Sequence, residues 1–318
     1  MRDQAIQHAI YLRRFSTGLA NRIIKLLNRV DDDVAGQIRK GSLDKTSRLN
    51  KILEEIRIIN RDIHKEVGKE LRTELKALAR YEADLQAKLV AGDKTPIVLS
   101  PDVLGAMVDD EPFQGRTLKD WLYNLRESSY NRVKDTINIG VVQGETTDQI
   151  VNRVLGLKRL RYTDGVNEMN RRAATAVIRT AVTHTTSKAD EAVYQRQKNI
   201  QGVQYSAILD SRTTPICASL DGQVFKVGEG PRPPQHFNCR STTIPVFKGQ
   251  EPFEETYNEW LKRQSKEFQD DILGNTRGRL FRDGGLAMDR FVDPKRGQFW
   301  TLDQLKSKEN EAFNLVGL

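Results

Sequence analysis

The feature that most narrows what this chain can fold into is an apolar stripe in its N-terminal third. Starting at Ile52, the residues Ile56, Ile59, Ile63, Val67, Leu71, Leu75, Leu78, Tyr81, Leu85 and Leu89 recur about every 3.7 positions, which is the period of one helix face. Arg57, Arg61, Lys65, Lys69, Arg72 and Lys76 lie between them, mixed with acids, as a solvated face requires. A second pattern runs through Ile6, Ile10, Leu19, Ile23, Leu27, Val30, Val34 and Ile38, and the turn between the two is expected at Gly41-Ser42 with Ser42 or Asp44 as N-cap. A helix this long with one apolar stripe must bury it on something. Residues 1–95 are therefore expected to form a helical hairpin, or an arm docked on a neighbour.

The rest of the 318 residues breaks into shorter pieces. Gly92, Pro96, Pro101 and Asp109-Asp110-Glu111 mark residues 96–114 as a linker. Helical patterning resumes after Gly115. Thr117-x-x-Asp120 and Thr146-x-x-Gln149 have capping-box spacing, and the helical pattern runs on from 166 to 199. From Val203 the character changes: Gln204 to Ile208, Gln223 to Lys226 and Thr242 to Phe247 read as short strands, punctuated by glycines and prolines. Residues 115–247 thus form a helical domain with a β unit at 203–247. Residues 248–318 form a helical C-terminal extension that passes through an Asp283-Gly284-Gly285 turn to a last capping box at Thr301-x-x-Gln304. The expected class is α+β, mainly α.

Composition excludes several classes of function. The hydrophobic share of 38% lies below the usual globular share of about 45–50%, which argues against one large enzyme core. No stretch approaches the roughly 18–20 apolar residues of a membrane span, and no membrane partner is expected. The N-terminus lacks the apolar segment of a secretory leader, and two cysteines cannot make a disulfide framework, so a reducing cytoplasm is the expected place of synthesis. The net charge of +8 is concentrated N-terminally, with 20 basic against 14 acidic residues in 1–95. That bias points to non-specific DNA contact through a basic N-terminal arm.

Chemistry-bearing residues gather in one stretch: Asp210-x-Arg212-Thr213, Cys217, Leu220-Asp-Gly222, then Pro233-Pro234-x-His236-x-Asn238-Cys239-Arg240. Cys217, His236 and Cys239 offer the thiolate and imidazole donors of a tetrahedral zinc site, so a structural zinc is one reading. A fourth ligand would come from Asp210, His184 or water. The same residues also read as two buried free cysteines. His184 by itself suits a packed helical histidine, and His8 and His64 suit the surface.

At this motif the chain resembles the head-morphogenesis family of tailed bacteriophages, the minor head proteins similar to protein F of phage Mu. Gly140-x-x-x-Gly144-x-Thr146 with Ile150, and Arg179-Thr180, resemble the same domain's earlier elements. Trp260-Leu261 to Gly274 and Gly284 to Phe291 resemble an extension found in some members, so the resemblance spans roughly residues 115–290. It implies a low-copy structural component of the virion near the portal, made in the host cytoplasm and acting in head assembly and DNA packaging, with a share in ejection open. The implied partners are the portal protein and the major capsid or scaffolding protein. Family members often carry cysteines where Thr214 and Ser241 stand here, so the resemblance implies either a metal site given up as a unit or a thinner one using His236. It further implies an ion pair or turn formed by Asp210 and Arg212, and a loop held by Asn238 and Arg240 through bonds to the backbone, with Thr213, Gly222 and Pro234 as turn residues.

The competing reading is a metal-dependent nuclease or transferase-type enzyme of phage origin, built on Asp210, His236, Asn238 and Arg240. Against it stand the lack of a second histidine at HNH-like spacing, of paired carboxylates for two-metal chemistry, and of any P-loop, GxGxxG or GxSxG. No catalytic residue is assigned, and an enzyme is not the expected function.

Overall fold

The computed structural model describes residues 2–40, 46–92, 95–252 and 255–318, with side chains from residue 7 onward. The turn expected at Gly41-Ser42, with Ser42 or Asp44 as N-cap, lies outside the described residues, as does the side chain of Ile6. The described residues are mainly α-helical with a small antiparallel β unit, as expected. By contacts the chain divides into two compact units. One comprises Ile10–Leu85 with Val98–Ala189, and the other Met1–Ala9, Gln86–Ile97 and Asp190–Leu318.

The two N-terminal patterns are helices α1 (Arg2–Lys40) and α2 (Thr46–Ala91). In the first unit they form an antiparallel hairpin. Tyr11 meets Tyr81, Arg22 meets Glu70 and Glu74, and Arg29 meets Glu66, so numbers rise on one helix as they fall on the other. Val34, Ile38, Ile52 and Ile56 pack with Val133, Ile137, Ile150 and Val154 of two further helices, α4 (Leu118–Val142) and α5 (Thr147–Leu155). Each such aliphatic side chain removed from water contributes about 1.5–3 kcal/mol. The stripe holds from Ile52 to Leu78, but Tyr81 and Leu89 are exposed. There the buried face consists of Ala79, Ala83 and Ala87 with Glu82 and Gln86, residues too small or too polar for an apolar pattern to register, and then Val90.

The segment expected as a linker, 96–114, contains a helix, α3 (Pro101–Asp109). Its Pro101 sits at the first helical position behind the N-cap Ser100, where a missing N–H costs nothing, so a residue read as a breaker begins the helix. Both capping boxes of this unit are made, Thr117 with Asp120 on α4 and Thr146 with Gln149 on α5. Helix α6 (Val166–Tyr194) follows. His64 is buried rather than on the surface; its Nδ1 lies 2.8 Å from the Asn60 carbonyl, and burial lowers its pKa.

The second unit carries a sheet in the order β2-β1-β3, all antiparallel: β1 (Ile200–Ser206), β2 (Val224–Phe225) and β3 (Thr242–Phe247). Central β1 starts earlier than its weak alternation suggests because it is buried on both faces, which erases the period-2 signal. Between β1 and β2 lies α7 (Pro215–Leu220). The C-terminal residues form α8 (Tyr257–Lys262), α9 (Lys266–Leu273), α10 (Asn275–Arg282), a hairpin of β4 (Val292–Asp293) and β5 (Gln298–Phe299), then α11 (Leu302–Lys308) and α12 (Asn310–Leu315). Tyr257, Leu261, Leu280, Phe291, Leu305 and Phe313 form their core. The capping box of Thr301 with Gln304 is made on α11. His8, expected on the surface, is partly buried and lines a cavity with Leu89, Val90, Tyr194 and Ile244.

Candidate functional site

The loop between β1 and α7 and the proline-rich loop before β3 bring the motif residues together. Thr214 is the extended N-cap of α7 and Pro215 its first residue, which places Cys217 on the helix's inward face. On the other loop, Asn238 adopts a left-handed conformation at φ +58°, which asparagine tolerates better than most residues, and Cys239 turns inward behind it. The two sulfurs lie 3.7 Å apart, and Cys217 Sγ lies 3.2 Å from His236 Nε2. The three donor atoms fall within 4.8 Å of one another.

Thr214 and Ser241 also lie in this cluster. Thr214 Oγ1 lies 2.8 Å from His236 Nε2, and the buried Ser241 hydroxyl bonds to Tyr205 and Cys217. Tyr205, whose hydroxyl is 3.3 Å from Cys217 Sγ, closes the cluster from β1. The thiols are polarised against each other. The hydrogen bond from Cys217 holds Cys239 down despite burial, and His236 adds to this. The same bond, with burial, pushes Cys217 up. Burial opposes charge on His236, but its bond to Cys239 prevails and raises its pKa.

Asp210 has a different task. Arg240 donates Nη1 to Oδ2 at 2.7 Å and Nη2 to Oδ1 at 2.6 Å. The Arg212 backbone N–H donates to Oδ1 at 3.0 Å and its guanidinium to Oδ2 at 3.3 Å; Thr213 Oγ1 donates to the same carboxylate and to the Ile208 carbonyl. Arg240, more than any other group, holds the Asp210 carboxyl well below the usual range. The Asp210–Arg212 turn is therefore present as expected. Arg240, expected to bond backbone, instead forms a two-pronged ion pair with Asp210, the geometry that best suits a guanidinium and a carboxylate.

Gly222, at φ +82°, donates its N–H to Tyr205 O at 2.9 Å, and a Cβ there would fall 2.4 Å from Thr256 Cγ2. Its neighbour Asp221, absent from the sequence-based set, accepts from the backbone N–H of both Ala207 and Tyr257 at 2.5 Å, tying the end of β1 to the start of α8. An Asp before a glycine at a turn was the available signal. The half-buried Glu191–Arg232 pair at 2.7 Å was also missed; Arg232 further donates to the Lys226 and Pro231 carbonyls, fastening the loop that carries Pro234. The Pro233–Pro234 peptide is cis.

The donor set fits a tetrahedral zinc on three corners. Bonds of about 2.3 Å to sulfur at the tetrahedral angle place two sulfurs about 3.8 Å apart, against the 3.7 Å found. His236 Nδ1 lies 2.8 Å from Phe237 O; donating its proton there leaves the Nε2 lone pair facing the cysteines. Asp210, one candidate for the fourth corner, is engaged by Arg240. His184, another, packs its ring 5.3 Å from Phe113 in the first unit. A water or the hydroxyl of Thr214 or Ser241 is what remains.

A small antiparallel sheet whose flanking loops close on a Cys–His cluster and are braced by ion pairs defines a loop-braced α+β unit. Residues 131–244, about a third of the chain, match the family model described as Phage Mu protein F like protein. The resemblance read from the motif is supported over that segment. Neither a curated protein nor a solved structure matches the chain. No described helix is long and apolar enough to cross a membrane.

Proposed function

We propose that this protein is a minor structural component of a tailed-phage head that acts in head morphogenesis beside the portal, with the portal protein and the major capsid or scaffolding protein as partners. The observation that supports this reading most is the family match over 131–244 falling on a site whose polar groups are consumed in bracing. Asp210 goes to Arg240, Asp221 to two backbone amides, and Glu191 to Arg232. A nuclease needs a carboxylate and a base left open to substrate and metal; here both loops are pinned to each other. In this reading the Cys217–His236–Cys239 cluster holds a structural zinc, which when bound cross-links the two loops.

The test is co-expression with the cognate portal and capsid proteins, followed by gradient sedimentation and identification of the proteins in the particle fraction. The expected result is this chain in particles at low copy. Recovery only from the soluble fraction, with particles forming normally in its absence, overturns the reading, and metal-dependent nicking of plasmid by the purified protein would favour the enzyme instead.

A further inference from the structure

The two cysteines of the chain, Cys217 and Cys239, meet across the pair of braced loops. Their sulfurs belong to residues 22 positions apart and lie 3.7 Å from each other, a direct contact with no atom between them. A disulfide needs about 2.05 Å, so the sulfurs have about 1.6 Å left to close, each by turning about its own Cα–Cβ bond. No other thiol in the chain competes for either partner.

The backbone on either side is fixed without any help from the thiols. Cys239 is followed at once by Arg240, whose two bonds to Asp210 tie its loop to the turn that leads into α7. At the far end of α7, Asp221 accepts from the backbone N–H of Ala207 and of Tyr257. The ordering that a cross-link would otherwise have to impose is already present, which lowers the cost of forming one. Both cysteines are buried, so a second chain does not reach them and the bond closes within one molecule. Their cover is thin. His236, half-buried, lies 3.2 Å from Cys217 Sγ, and Phe237 and Asn238 beside it are exposed, so opening of that segment alone admits a small reagent.

We propose that Cys217 and Cys239 are a reversible redox pair that closes to an intramolecular disulfide, with a small disulfide such as oxidised glutathione as the oxidant. One thiol gives up its proton and attacks the S–S bond of the oxidant; a mixed disulfide forms and the first glutathione leaves, taking up that proton. The second thiol, giving up its own proton, attacks the protein sulfur of the mixed disulfide, and the second glutathione leaves as a thiol. The protein has lost two hydrogen atoms and the oxidant has been reduced to two thiols. Zinc requires the same two sulfurs as thiolates, so the disulfide and a bound metal exclude each other. The bond depends on neither the zinc nor the head-assembly reading. Only its timing rests on the latter: a chain made in a reducing cytoplasm and released in a particle reaches surroundings where disulfides persist, and the bond then locks the two loops after assembly.

The experiment equilibrates the purified full chain, freed of metal with a chelator, in glutathione buffers running from reducing to oxidising, once folded and once unfolded in urea. Remaining thiols are then alkylated under denaturing conditions and the intact mass is measured. Folding should stabilise the bond at least about tenfold over the urea-unfolded chain, and the product should be a monomer that takes up no alkyl group. By linkage the same factor returns as stability, so the oxidised chain should melt about 5 °C above the reduced one, and dithiothreitol should reverse the shift. Cys217→Ser should yield a glutathione adduct instead and lose the redox-dependent melting; the wild-type comparison decides the matter even if that variant folds poorly. Three results overturn the proposal: a bond no more stable in the folded chain than in the unfolded one, glutathione adducts or linked dimers as the main product of the folded wild type, or an oxidised chain that melts at or below the reduced one.

Discussion

Arg240 and Asp210, thirty positions apart in sequence, meet through two parallel hydrogen bonds of 2.7 and 2.6 Å. This joins the loop that leads into α7 to the loop that leads into β3, and those two loops carry Cys217 and Cys239. The cluster is thus held in place from outside, by a pair that needs neither thiol.

That pair should be visible in stability. Asp210→Asn is expected to cost about 1–2 kcal/mol at neutral pH, the range for charge-assisted bonds that are partly exposed. Because the folded-state pKa of Asp210 is depressed below its ordinary value of 3.8, its contribution is complete above that value and is lost as pH falls toward the folded one. Urea titrations at pH 7 and below pH 4 should find the gap between wild type and variant closing in acid. A gap independent of pH would refute the assignment.

Zinc should bind with a stoichiometry of one per chain, and Co²⁺ in its place should show sulfur-to-metal charge transfer and tetrahedral d–d bands. Cys239→Ser and His236→Ala should each weaken binding by tenfold or more, by order of magnitude for ligand loss. Thr214→Cys with Ser241→Cys should strengthen it, since both hydroxyls already face the donors. Failure of that double variant to bind Co²⁺ more tightly than wild type would show that those positions do not converge on a cation.

Gly140 offers a test of sign. Gly140 lies in the last turn of α4; within a helix alanine is ordinarily better than glycine, by up to about 1 kcal/mol, yet a Cβ at Gly140 would lie 2.5 Å from Cγ1 of the fully buried Ile150. Gly140→Ala should therefore destabilise, by about 1–3 kcal/mol, and thermal melting decides it. A stabilised variant would mean that α4 and α5 do not approach this closely.

His184 is buried with an unpartnered Nε2, and burial first, then the Lys188 charge, lower its pKa from 6.5 to about 4. A folded-state value below the unfolded one costs nothing above about pH 6.5 and destabilises progressively as pH falls to about 4, by up to about 3 kcal/mol. His64 acts in the same direction. Unfolding free energies at pH 7 and pH 5 should differ accordingly, and His184→Gln should remove most of the difference. An unchanged pH dependence in that variant would place the titration elsewhere.

The long helices and the capping boxes were legible because each rests on local spacing: Thr117, Thr146 and Thr301 all cap as their sequence positions suggest. Strand β3 was legible for the same reason. What was hidden depends on partners far along the chain. Arg240 selects Asp210 over the backbone only once two loops converge, and Asp221 binds the amide of Tyr257, 36 residues away. The buried alanines of α2 were hidden because a methyl group carries little hydropathy, although Ala79 is as fully excluded from water as Leu71. Pro101 misled because proline stops a helix in its interior and opens one at its first turn.

The three-stranded sheet has one further consequence. Its central strand is paired on both sides, but its outer strands are poor templates for a foreign strand. β2 is two residues long, and β3 carries Pro245 opposite Val203, which leaves a gap in the row of donors a growing sheet would need. Such blunted edges guard against intermolecular strand pairing, a hazard that rises wherever many copies of one chain are held at high local concentration.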